Sequence, residues 1–177
     1  RLTATMSGGL STSSDVVITV NPEIKFFGQN FEAEAGIVES PFRISGGVIS
    51  QPSETGLNGG GRAVYKFSVA TAGNYLVMME VNAPSEAHNS LFVNIDSEPL
   101  DPASIWHIPV TDVTENRTVS WQGSGTYNDP EFTPKVFTLS AGVHQLIIRG
   151  RESGVAVDAI SIIKEISPPT NLRITFN

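Results

Sequence analysis

Glu32 and Glu34 stand two positions apart in "NFEAEAG" (30–36), a segment otherwise made mostly of small and apolar residues. In an extended strand, side chains at i and i+2 share a face, and like charges side by side on a sheet destabilise it. A hard divalent cation reverses that sign. Calcium takes several oxygens at about 2.3–2.6 Å, from carboxylates and backbone carbonyls. Asp158 is the candidate third acid, set in the apolar segment "VAVDAISII" (155–163). A carboxylate buried there needs a cation or several donors. Two readings stay open: a calcium site of Glu32, Glu34 and Asp158, or a solvated strand edge with Asp158 accepting backbone N–H groups. Calcium is favoured over zinc because no His lies near either motif.

Catalytic constellations find little support. The sequence contains neither G-x-S-x-G nor H-E-x-x-H. His88, His107 and His144 are too far apart to show metal-ligand spacing, and His144, opening a strand, reads as a half-exposed surface residue. Asp129 and Glu131 in "YNDPEF" read as a turn rather than a carboxylate pair for glycoside hydrolysis. "GLNGGGR" (56–62) lacks a strand-to-helix context and is no phosphate loop. Its glycines suit a tight turn and close backbone approach. Asn116-Arg117-Thr118 fits the N-glycosylation pattern, which matters only in a eukaryotic secretory setting. Cysteine is absent, excluding a disulfide framework, thiolate zinc sites and a Cys nucleophile.

The elements that must position these residues are strands. "DVVITV" (15–20), Gly61 with the following "RAVYKFSV" (61–69), "NYLVMMEV" (74–81), "SLFVNID" (90–96), "KVFTLS" (135–140), "HQLIIRG" (144–150) and "VAVDAISII" (155–163) are rich in β-branched and aromatic residues and punctuated by Gly, Pro, Asn and Asp. Val64-Lys66-Ser68 alternates with Tyr65-Phe67-Val69, which predicts one wet and one buried face. No capped, helix-period segment exceeds two turns. An all-β sandwich is therefore expected. The stretch 97–134 is too long for an ordinary connection and should carry short strands or function; it holds both tryptophans. With 18 acidic against 11 basic residues the net charge is −7, against non-specific nucleic-acid binding. No apolar run reaches the ~18 residues of a membrane span, so membrane insertion is not expected, and any secretion signal is expected to lie outside this stretch.

"NFEAEAG" (30–36), the Gly-rich turn and two strands of residues 59–84 (Gly59-Gly60-Gly61, then "RAVYKFSVATAGNYLVMMEVNAP"), and "KVFTLSAGVHQLIIRGRESGVAVDAISI" occur in this order. Together they resemble family 6 and family 35 carbohydrate-binding modules. Those modules open on a Glu-Ala-Glu strand, continue through a Gly-Tyr strand and a Leu-x-x-Gly-x-x-x-Leu hairpin (here Leu139 to Leu146), and close on a hydrophobic-Asp-x-Ile strand (here Val157 to Ile160). The resemblance implies a jelly-roll β-sandwich of the galactose-binding type over residues 23–166, with structural Ca2+ held by Glu32, Glu34, Asp158 and nearby carbonyls. At the ends, 1–22 forms a candidate hairpin around Ser7-Gly8-Gly9 and resembles the close of a bacterial immunoglobulin-like repeat. Residues 167–177 resemble the opening of a fibronectin type III domain. Alternatively, both ends are extra strands of one sandwich.

Sugar recognition needs an aromatic ring to cover the apolar pyranose face and planar polar groups for the hydroxyls. The candidates are Trp106, Trp121 and Tyr127 for the ring, with Asn89, Arg149, Arg151 and Glu152 for the hydroxyls. Each has a bland alternative: a core Trp, a turn Asn, an Arg–Glu pair and nothing more. The expected protein is a non-catalytic module of a secreted or cell-surface bacterial protein, partnered by a polysaccharide or oligosaccharide and by neighbouring domains of the same chain. The alternative is a structural or adhesive spacer without a sugar ligand.

Overall fold

The computed structural model describes residues 2–5, 11–14, 29–121 and 132–165. The chain divides into two compact units, Arg1–Lys25 with Ile166–Asn177, and Phe26–Glu165. In the first, β1 (Leu2–Thr5) and β2 (Ser11–Ser14) pair antiparallel from Leu2↔Ser14 to Thr5↔Ser11, the register expected of a hairpin about residues 7–9. The predicted strand at 15–20 and the fibronectin-like segment 167–177 lie outside the described residues.

The second unit begins with β3 (Gln29–Glu32), a 3-10 turn over Ala33–Ala35, β4 (Ile37–Glu39), β5 (Arg43–Ser45) and β6 (Val48–Ser50). The long strands follow: β7 (Arg62–Val69), β8 (Gly73–Asn82) and β9 (Ser90–Ile95). Short ones occupy the stretch that looked too long for a loop: β10 (Ile105–His107), β11 (Glu115–Thr118), β12 (Ser120–Trp121) and β13 (Thr133–Pro134). The unit closes with β14 (Phe137–Leu139), β15 (Gly142–Gly150) and β16 (Ala156–Lys164).

Two main antiparallel sheets result, beside a small two-stranded one of β12 and β13. One runs β10-β9-β15-β7-β4. The other runs β11-β8-β16-β6-β5, with β14 added to β8 and β3 to β16. Successive long strands change sheet, so β7, β9 and β15 lie opposite β8, β14 and β16. The Leu139–Leu146 segment is therefore not a hairpin. β14 pairs with β8 and β15 with β7 and β9, and the turn between them carries the chain from one sheet to the other. The alternation of β-branched and aromatic residues fills the space between the sheets. Tyr65 and Phe67 of β7, Leu91 and Val93 of β9 and Leu146 and Ile148 of β15 meet Val77, Met79 and Val81 of β8 and Val157, Ile160 and Ile162 of β16. Each such side chain contributes about 1.5–3 kcal/mol by leaving water.

The opposite face of the five-stranded sheet is not uniformly wet, as alternation had predicted. Lys66 and Ser68 are exposed, but Val64, Phe92 and Ile147 are buried. The segment 51–61 crosses here: Arg149 donates from Nε and Nη2 to the Leu57 carbonyl at 3.3 and 2.9 Å. Its glycines permit the approach, since a Cβ on Gly60 would stand 2.0 Å from the Gly150 carbonyl oxygen.

His144 is a second correction, buried rather than half-exposed. Its Nδ1 lies 2.6 Å from Asp96 Oδ2 and its Nε2 2.9 Å from the Ser140 carbonyl. Only the imidazolium donates to both. The hydrogen bond to Asp96, then that to Ser140, raises the pKa above its ordinary 6.5, against the opposing effect of burial. With the folded value above the unfolded one, the contribution to stability is complete below pH about 6.5 and is lost as pH rises through the folded value. The melting-temperature gap between wild type and Asp96→Asn should therefore be full below pH about 6.5 and narrow as pH rises above it. A gap independent of pH would rule out the charged pair.

Candidate functional site

Two places in the sandwich gather polar side chains. The first lies where β16 crosses the start of the domain. The register of β16 against β8 shifts between Val157 and Ala159. That bulge singles out Asp158 in an otherwise apolar strand, and bulges re-aim side chains. β5 and β6 pair through Ser45↔Val48, with Gly46 and Gly47 at φ 61° and 88° as the two turn residues. A two-residue turn with both φ positive suits hairpin twist and is reserved largely for Gly, Asn and Asp. A Cβ on Gly47 would lie 3.8 Å from Glu34 Oε1 and 4.0 Å from Asp158 Oδ1. The two carboxylates thus converge beneath this turn.

Glu34 Oε2 is buried and has no hydrogen-bond partner among the described residues. A buried carboxylate oxygen without a donor carries a full desolvation cost, which a cation would offset. Tyr65 cannot serve as the donor, because its hydroxyl donates to the Ala33 carbonyl at 2.5 Å. Burial, and secondarily the Glu34 charge, push the phenol pKa well above its usual value, so it stays protonated.

Glu32 does not join them in the way its spacing implied. The strand ends at Glu32, and the 3-10 turn Ala33–Ala35 replaces the two-residue alternation that would align it with Glu34. Glu32 is exposed and sits opposite Ala159. Among the described residues no group of three or more His, Cys, Asp or Glu side chains is placed to hold a metal ion. Two carboxylates with backbone carbonyls are a donor set that suits a hard cation.

The second place is the end of the sandwich formed by segments 83–89, 151–155 and 51–61. The main chain there is tied across loops by Gln51, which is buried. Its Nε2 donates to the carbonyls of Ser53 and Arg151 at 2.9 and 3.0 Å, and its Oε1 accepts from Gly61 N at 3.2 Å. Thr55 N donates to the same Arg151 carbonyl at 2.8 Å.

On this frame three of the predicted ligand residues meet. Glu152 Oε2 accepts from Asn89 N at 2.8 Å, and Oε1 accepts from Arg151 Nη1 at 2.5 Å. Arg151 Nη1 also donates to Ser90 Oγ. Asn89 Nδ2 donates to Glu86 Oε2 at 3.3 Å. His88 Nδ1 lies 2.6 Å from the Ser153 carbonyl. Burial, and then the Arg151 charge, lower the pKa of the adjoining His107, with Glu152 and Glu86 opposing, so its imidazole is neutral at pH 7.

Beside this cluster opens a cleft of about 450 Å3 lined by Glu54, Thr55, Gly56, Phe92, Asp101 and Arg151. The side chains of Glu54 and Asp101 are exposed and have no hydrogen-bond or ion-pair partner among the described residues. Neither residue stood out in the sequence, nor did Gln51. Each acts through segments distant in the chain, and no local spacing marks it. Arg149, by contrast, is committed to the Leu57 carbonyl and lies 3.9 Å from Glu98.

The predicted aromatic platform is corrected in one member. Trp106 is fully buried in the core, opposite Leu91 on β9, because the alternation of β10 points it between the sheets while Ile105 and His107 face away. It cannot offer a ring face to a ligand. Trp121 is placed through its backbone alone, paired with Thr133, and Tyr127 lies outside the described residues.

No family model matches the sequence, and no curated protein matches it. Solved structures do. A family 35 carbohydrate-binding module from Clostridium thermocellum is similar at TM-score 0.53 and 12% identity, over 78% of this chain and 98% of that one. The C-terminal family 6 module of LamC, a laminarinase from Zobellia galactanivorans, is similar at TM-score 0.53 and 16% identity, over 77% and 99%. A GH26–CBM35 β-(1,4)-mannanase from Podospora anserina is similar at TM-score 0.55 and 15% identity; the match covers 81% of this chain and 29% of that enzyme. The fold is thus an all-β jelly-roll sandwich of the kind found in family 35 and family 6 carbohydrate-binding modules.

Proposed function

We propose that this chain is a non-catalytic carbohydrate-binding module that takes a polysaccharide or oligosaccharide in the cleft beside Arg151. The observation that carries the reading is the convergence of Asn89, Arg151 and Glu152 at one end of a jelly-roll, next to a cleft whose own carboxylates have no partner among the described residues. Planar groups held rigid by one another present fixed donors and acceptors to sugar hydroxyls at little entropic cost. The fold neighbours support the ligand class, since their names attach them to a mannanase and a laminarinase. Structural calcium belongs to the same proposal, held by Glu34, Asp158 and backbone carbonyls rather than by three carboxylates. Its chemistry is charge compensation of two like charges, and it takes no part in ligand binding. The context is a modular, secreted or cell-surface bacterial protein.

A glycan array probed with the wild type and with Arg151→Ala tests the binding. Signal on at least one polysaccharide is expected, falling by about tenfold or more in the variant, since a hydrogen bond to a charged group contributes about 1.5–3 kcal/mol. Absence of binding to every polysaccharide would sink the reading and leave the spacer role.

A further inference from the structure

Gln51 is buried, follows directly on β6, and stands 100 residues before Arg151 in the chain. Its amide is held in one orientation. Oε1 accepts from Gly61 N at 3.2 Å, while Nε2 has the carbonyls of Ser53 and Arg151 at 2.9 and 3.0 Å and Thr55 Oγ1 at 3.2 Å. Turned over, the group would set an oxygen against two carbonyls and a nitrogen against an N–H. The backbone adds a further tie, the Gln51 carbonyl accepting from Gly154 N at 3.2 Å. Segment 151–154, which carries Arg151 and Glu152, is thus held at both ends by one residue.

Gly150, the residue before Arg151, makes room for that amide. It is not one of the glycines with positive φ, so space rather than backbone freedom requires a glycine here. A Cβ on it would stand 1.7 Å from Gln51 Oε1 and 2.4 Å from Cδ. The amide could yield only by leaving its buried partners, each of which would then lose a hydrogen bond. Resting on the carbohydrate-binding reading above, we infer that Gln51, seated against Gly150, is the positioning residue of the sugar site. It is too buried to meet a sugar itself and acts by setting where Arg151 and Glu152 stand. The connection is short. Gln51 Nε2 and Thr55 N fix the Arg151 carbonyl, and the next residue, Glu152, accepts from Asn89 N at 2.8 Å. With that carbonyl released, both side chains lose their fixed geometry, and sugar binding must then order them.

The test is calorimetric titration of the full chain, far below its melting temperature, with mannohexaose, laminarihexaose and xylohexaose. On whichever binds, Gln51→Leu should lose about tenfold in affinity, as Arg151→Ala does. Combining the two should add less than about threefold, because one acts through the other. Gly150→Ala should reproduce the loss, and it serves where Gln51→Leu does not fold. Asp96→Asn, about 20 Å away at the other end of β9 and β15, should lower the melting temperature and leave affinity unchanged. Without sugar, the Asn89 N–H that Glu152 accepts should exchange faster in Gln51→Leu, while the Gln145 N–H that Asp96 accepts keeps its rate. A lowered melting temperature with unchanged affinity, or a double variant weakened about hundredfold, would overturn the inference and leave the carbohydrate-binding reading standing. So would unchanged exchange at Asn89. Wild-type silence towards all the oligomers would remove the sugar reading and the positioning role with it.

Discussion

Chelation of calcium is expected to lower the melting temperature of the chain by on the order of 10 °C. A ligand that binds only the native state at 100 times its Kd adds about 2.7 kcal/mol, and each kcal/mol moves the midpoint of a domain this size by a few degrees. The sharper form of the experiment uses two conditions. With calcium present, Glu34→Gln and Asp158→Asn should both be less stable than wild type. In EDTA the order should invert or close, because each variant removes one of the two like charges that converge beneath the Gly46-Gly47 turn. Glu32→Gln should stay within about 0.5 kcal/mol of wild type in both conditions, as befits an exposed residue outside the pair. Unchanged melting in EDTA would sink the calcium site. A Glu32 effect equal to that of Glu34 would restore the three-carboxylate arrangement.

Trp106→Ala is expected to cost about 3–5 kcal/mol, a large share of the 5–15 kcal/mol that holds an ordinary domain together. The indole is fully buried between the sheets, and its removal leaves a cavity whose cost adds to the lost transfer free energy. Trp106→Phe should be milder than its loss of volume suggests. The indole Nε1 has no hydrogen-bond partner among the described residues, so the substitution also discards a donor unsatisfied by them. Urea unfolding measures both. In a Trp121→Phe background the remaining indole should emit in the blue and resist quenching by iodide. A Trp106→Ala protein that melts like wild type but loses sugar would reverse the assignment and return Trp106 to the binding surface.

What could be read from the chain divides along a physical line. The long strands were legible because their signal is local: β-branched and aromatic residues at period two between Gly and Pro, as in "RAVYKFSV" and "NYLVMMEV", which form β7 and β8 within a residue or two of the predicted bounds. The short strands β4, β5 and β6 were not. Each is three residues long, too short for a period to show, and each exists because a neighbouring strand offers its hydrogen bonds. His144 and Val64 were misread for a related reason. Alternation assigns a face but does not say what covers it; Asp96 meets the first, and the second is buried on a face that segment 51–61 crosses.

The site divides the same way. Composition and strand pattern determined an all-β sandwich without cysteine chemistry, and the odd carboxylates of "NFEAEAG" and "VAVDAISII" marked residues that strand packing alone does not explain. Asn89, Arg151 and Glu152 were picked out as polar residues at strand ends, which is local information. Tertiary structure alone decided that these three touch, that Trp106 points inward, and that Glu34 rather than Glu32 faces Asp158. Those outcomes depend on which strands pair and where one register slips. A single bulge in β16 and one 3-10 turn after β3 re-aim side chains by a whole face, and neither leaves a period that can be read along the chain.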